Sequence, residues 1–208
     1  MNKFSLRAVC AAAGLAALGM PMGAHAESNI QTGAGTLTAT ARIDFRVTIP
    51  RVLFLQVGTG TLMAANPAIN LIDFTVPVAN VGDGSVISAT LLSGDLGSGA
   101  VTARVRANAG AVTLVSSTAG ALSNAAGDTL SFTQFSTTAA TLSGGPILAA
   151  PALANGTGGT VAVPVAANIT NIDARWTYAY LNAAVVPPGT YGGVNSNNSR
   201  VTYTATML

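Results

Sequence analysis

The chain has 208 residues, is half hydrophobic and only 8% charged, and carries a formal net charge of +2. That length suits one β-type domain, and so few charges exclude the basic stripe that nucleic acid requires. The surplus lies in Lys3 and Arg7. Lys3, Cys10 and His25 are the only lysine, cysteine and histidine, so a chain beginning at Glu27 has none of the three and no net charge.

In chain order, Lys3 and Arg7 precede an apolar run from Ala8 to Met20, broken at Pro21 and Gly23 and followed by Ala24-His25-Ala26. This is the pattern of a secretory signal peptide over residues 1–26, cleaved before Glu27. The apolar run is too short to span roughly 30 Å of hydrocarbon, so no stable membrane anchor is expected. Cys10 stands ahead of most of that run, which argues against lipid attachment there.

From Leu37 the odd positions read Leu37, Ala39, Ala41, Ile43, Phe45, Val47 and Ile49, and the even ones Thr38, Thr40, Arg42, Asp44, Arg46 and Thr48. Strict alternation of this kind predicts a long half-buried strand. Pro50 ends it, and Val52–Val57 is the next predicted strand. Shorter runs follow at Ile69–Val78, Ser85–Leu92, Ala100–Ala107, Ala111–Ser116, Thr129–Phe135 and Val161–Ala166. Gly82-Asp83-Gly84, Gly94–Gly99, Asn108–Gly110 and Asn124–Asp128 are turns between them. Ser136–Thr160 is small, polar and glycine-rich and reads as loop. Arg175–Leu181 and Arg200–Met207 alternate again. Many short strands between turns, with no helical period after the leader, give an all-β chain folded as a β-sandwich. Residues 27–49 form an N-terminal extension or first strand, and residues 50–208 the sandwich domain.

Chemistry is mainly excluded. Without His, Cys or Lys after the leader there is no base for a Ser or Cys nucleophile, no thiolate or imidazole for zinc, and no disulfide. Asp44, Asp73, Asp83, Asp95, Asp128 and Asp173 show no pairing in sequence, and Asp83 and Asp95 sit in turns where Asp caps backbone groups. Neither an enzyme nor a cofactor is expected. Trp176, Tyr178 and Tyr180 alternate and share one strand face. They read as a core or interface stripe or, alternatively, as the sugar-stacking face of a secreted glycan-binding or adhesin module.

Leu37-Thr38-Ala39-Thr40-Ala41-Arg42-Ile43-Asp44 resembles the donor-strand region of alternate or colonisation-factor-type chaperone–usher pilins. Pro187-Pro188-Gly189-Thr190-Tyr191-Gly192, followed by a terminal strand with Val201, Tyr203, Ala205 and Met207 on one face, resembles the end of such pilins. The resemblance covers about 45 residues in two pieces. It implies an incomplete immunoglobulin-like β-sandwich and a structural role in a fimbria or related fibre. Its groove would be filled first by a periplasmic chaperone and then, at the outer-membrane usher, by Leu37, Ala39, Ala41, Ile43 and Phe45 of an identical or related subunit. Val201, Tyr203, Ala205 and Met207 would line the chaperone-contacting strand. The implied route is export through the periplasm to the cell surface. N-terminal sequencing of the exported protein should begin at Glu27, and a product retaining Lys3 would contradict the leader.

Overall fold

The computed structural model describes residues 27–208, so the predicted signal peptide lies outside the described residues. The chain divides between Ile49 and Pro50 into two units. In the first, residues 27–49 belong to no strand and are exposed, with Ile43 at 72% and Phe45 at 87%. The half-buried strand expected over Leu37–Ile49 is therefore not formed within the chain. The alternation supplies an apolar face, but a strand also needs a neighbour for its backbone groups. The side-chain contacts here are local, among them Arg42 clasping the Glu27 carboxylate at 2.8 and 3.0 Å.

Pro50–Leu208 holds ten strands: β1 Leu53–Val57, β2 Ile87–Ser88, β3 Ala100–Ala107, β4 Val112–Thr118, β5 Leu122–Ser123, β6 Thr129–Leu130, β7 Phe135–Ala140, β8 Thr157–Val163, β9 Thr170–Tyr180 and β10 Val201–Met207. All pair antiparallel. The larger sheet runs β1-β3-β9, with β2 and β7 also on β9. Both pair with Tyr180 and Ala179, so they flank β9 on opposite sides. Because β7 continues opposite β3 along Thr177–Arg175, β7 is the far edge. The second sheet runs β10-β4-β8, and β5-β6 is a small hairpin.

Alternation decides which residues go inside. Val101, Ala103, Val105 and Ala107 of β3 and Ile172, Ala174, Trp176 and Tyr178 of β9 meet Val112 and Leu114 of β4 and Val163 of β8 in one core. The chain is thus an all-β sandwich of two antiparallel sheets. A second cluster, Ile87, Leu122, Leu130, Phe132 and Tyr180, continues the core beneath the hairpin.

One side of the sandwich is closed by the segment around Leu148–Ala154. Its Leu148 carbonyl accepts the Trp176 indole N–H at 2.7 Å, and its Ala152 carbonyl accepts from Ser116 Oγ and Gly159 N, both at 2.8 Å. Gly158 makes this close approach feasible, since a Cβ there would lie 2.4 Å from the Ala152 carbonyl oxygen.

Several predicted elements change. Ser136–Thr160, read as loop, contains β7 and the start of β8. Small polar residues form the edge strand β7 because β9 offers a ladder. Thr129–Phe135 breaks at a 3₁₀ turn over Phe132–Gln134, where Phe132 N donates to Asn155 Oδ1 and Thr133 N to Ser131 Oγ. Ile69–Val78 forms no strand, although Ile72, Phe74 and Val76 do pack on the core; only scattered bonds such as Thr90 N to Asp73 O hold it. Ser85–Leu92 shrinks to β2.

Leu114 is completely buried, whereas Val78 is 93% exposed. Leu114→Ala should cost about 2–5 kcal/mol in denaturant unfolding, and Val78→Ala less than about 0.5. Similar losses at the two positions would contradict this assignment of the core.

Candidate functional site

β1 ends the larger sheet and β10 ends the smaller, and the two come together on the side away from Leu148–Ala154. Among the described residues β10 pairs with β4 alone, over its whole length from Val201↔Thr118 to Met207↔Val112. β1 likewise pairs only with β3. This side of the sandwich therefore presents two free strand edges.

The floor between those edges is apolar. Leu55 and Val57 of β1 and Tyr203, Ala205 and Met207 of β10 pack on the core while remaining only partly buried. Val201 packs on the second cluster. Thr202, Thr204 and Thr206 face outward and are exposed. The β10 residues are legible in the sequence by their alternation, and the β1 wall is not. Leu53, Leu55 and Val57 alternate in the same way, but the run is short and Phe54 between them obscures it.

Tyr203 links this floor to the interior. Its ring lies 5.2 Å from that of Trp176, and its hydroxyl is 2.8 Å from that of Tyr178. Burial pushes the Tyr203 hydroxyl up to about 12 and holds Tyr178 well above its ordinary value, with the Tyr203 charge adding to the second shift.

The aromatic stripe is corrected as a ligand face. Trp176 is 0% exposed, and Tyr178 and Tyr180 are buried as well, so the residues read alternatively as a sugar-stacking face form core between the sheets. Leu37, Ala39, Ala41, Ile43 and Phe45 remain exposed, with no strand partner among the described residues.

The carboxylates are dispersed, and four of the six Asp side chains bond neighbouring groups of the fold. Asp83 accepts from the Ser85 backbone at 2.8 Å, and its carboxyl is lowered chiefly by the Ser85 hydroxyl. Asp95 accepts from Thr102 N at 2.9 Å, Asp128 from Asn124 Nδ2 at 2.8 Å and Asp173 from Ser143 Oγ at 2.8 Å. Among the described residues no group of three or more His, Cys, Asp or Glu gathers as for a metal. A cleft of about 310 Å³ beside β7, lined by Thr133, Phe135, Thr137, Pro151 and Leu153 among others, has no ionisable side chain. A second, of about 90 Å³, lies along β1 and the loop after it.

The tyrosine pair gives a pH dependence. With folded values above the ordinary 10, its contribution to stability is fully present below about pH 10 and is lost as pH rises through about 12. Thermal midpoints should hold steady up to about pH 10 and then fall. Tyr203→Phe should make that fall shallower, and an unchanged slope would contradict the assignment.

No protein-family model, curated protein or solved structure matches the chain.

Proposed function

We propose that the chain is an exported structural subunit of a fimbria or related surface fibre, assembled by β-strand addition. The observation that carries this reading is the pairing of an open β1/β10 edge over an apolar floor with an exposed, alternating segment in the same chain.

The strand order supports an immunoglobulin-like reading. A constant-type immunoglobulin sandwich has sheets A-B-E-D and C-F-G. Here β1-β3-β9-β7 follows A-B-E-D, and β4-β10 follows C-F. The position of strand G, beside β10, has no counterpart among the described residues, while β8 lies on the far side of β4. An added strand would complete the second sheet and cover Tyr203, Ala205 and Met207.

Residues Leu37–Phe45 have the character such a strand needs. Their main chain would satisfy the free edge of β10, and Leu37, Ala39, Ala41, Ile43 and Phe45 would fill the apolar floor. A periplasmic chaperone would occupy the same edge before assembly at an outer-membrane usher. This would keep a free strand edge from pairing at random.

Burying Ile43 would contribute roughly 1.5–3 kcal/mol to each junction. Ile43→Asp would lose that and place a charge in an apolar groove. Because Ile43 is exposed in the single chain, the variant subunit should be exported with its thermal midpoint unchanged, yet be missing from fibres seen by electron microscopy. Arg42→Ser and Asp44→Ser, on the opposite face, should assemble normally. Unfolding and degradation of Ile43→Asp would instead make the segment part of its own domain, and normal fibres would refute strand addition through this face.

A further inference from the structure

The sandwich has two poles. β1, β4 and β9 run from the pole of Pro50, Asn108–Gly110 and Ala166–Ile169 towards the pole of residues 90–99 and Asn182. β3, β8 and β10 run the other way. The far pole displays Leu91 and Leu92, 81% and 96% exposed, on a fixed turn. Ser93 is buried beneath them, its hydroxyl accepting from Asp73 N at 2.9 Å and lying 2.7 Å from Thr90 Oγ1. Gly94 turns the chain at φ +78°, where a Cβ would lie 2.1 Å from the Ala100 carbonyl oxygen. Adjacent exposed leucines held outward by such a turn are the mark of a contact surface.

At the near pole, Val165, Ile169 and Leu208 are exposed. They sit around tight turns joined by the Gly110 N to Asn168 O bond at 3.3 Å and the Leu208 N to Ala111 O bond at 3.0 Å. Exposed Asp73, Asp83 and Asp95 lie towards the leucine pole with exposed Arg200, which precedes β10, and exposed Arg51 lies at the other.

We infer that the Leu91–Leu92 turn docks onto the Ile169 and Leu208 pole of the next copy of this chain. This rests on the strand-addition reading and extends it with a second contact. If Leu37–Phe45 fills the groove, four residues, Arg46–Ile49, connect it to Pro50 of the same donor. Phe45 and Pro50 are five Cα steps apart, about 17 Å when extended, so the donor's Pro50 pole must lie against the acceptor. A strand antiparallel to β10 leaves the groove at the leucine pole and stacks unlike poles, which repeats as an open fibre. A parallel strand would bring two Pro50 poles together and place Arg51 near its copy.

Engineered cysteines test this directly, since the only cysteine, Cys10, lies in the predicted leader. The chain, exported with its own leader, would carry Leu92→Cys and Ile169→Cys together or singly. Within one copy these sites are separated by about the length of β3, roughly 25 Å, and a disulfide needs Cα atoms within about 7 Å. Oxidation of assembled double variant should give a ladder of covalent multimers on a non-reducing gel, and either single variant should stay monomeric. Oligomers by light scattering without a ladder would overturn the pole contact while leaving strand addition standing. Dimers from a single variant would show like poles meeting and overturn it too. If no oligomers form, strand addition fails and the contact with it. Binding of wild-type chain to phosphatidylcholine vesicles that Leu91→Asp/Leu92→Asp abolishes, with no ladder, would assign the turn to a lipid surface instead.

Discussion

A β-strand carries hydrogen-bonding groups along both edges, and β10 uses one of them. The rest of the structure depends on that asymmetry. β4 holds β10 in register along its whole length, so the strand is straight and its inward residues are fixed. Its free edge then faces the edge of β1 across an apolar strip that neither strand covers completely. A soluble domain usually blunts such an edge with a charge, a proline or a bulge. β10 has none of these: it reads Val-Thr-Tyr-Thr-Ala-Thr-Met, and the register shift in its sheet falls between β4 and β8. An edge left regular, uncharged and apolar on one face is suited to receiving a strand.

The opposite side of the sandwich shows how the same chain closes an edge. There Leu148–Ala154 lies along β8 and reaches Trp176, held by carbonyl acceptors and by glycines that let it approach. Within Pro50–Leu208 the sandwich is thus covered on one side by its own chain, and its β1 and β10 edges have no strand partner among the described residues on the other. The core beneath both sides is continuous through Trp176, which bonds to Leu148 on the closed side and meets the tilted ring of Tyr203 on the open one. Completion of the open edge would therefore bear on the same aromatic centre that anchors the closed one.

Much of this was legible in the sequence where a strand has a bounding turn and a true alternation. β3 has the limits read from Ala100–Ala107 because a glycine turn precedes it and Asn108 follows. β10 differs from its reading by one residue. β7 was hidden because Ser136-Thr137-Thr138-Ala139-Ala140 has no large apolar residue, and its strand character comes from β9. Ile69–Val78 had the right alternation and the right inward face but no continuous ladder beside it. The aromatic stripe on β9 could have faced sugar or core, and only the position of the second sheet over Trp176 decides between them. For Leu37–Ile49 the sequence shows the apolar face plainly. It does not say whether that face finds a strand partner, because backbone pairing leaves no mark on the identity of the residues that make it.

A free β10 edge that accepts the residues carried at Leu37–Phe45 would have its outward amides protected by them. The most direct measurement is amide hydrogen exchange in Ile43→Asp subunits, whose own segment would be disabled, with and without a synthetic peptide spanning Thr36–Ile49. The account predicts slower exchange for the outward-facing amides of β10 when peptide is added, along with a higher thermal midpoint. Unchanged exchange along β10 at saturating peptide would contradict it.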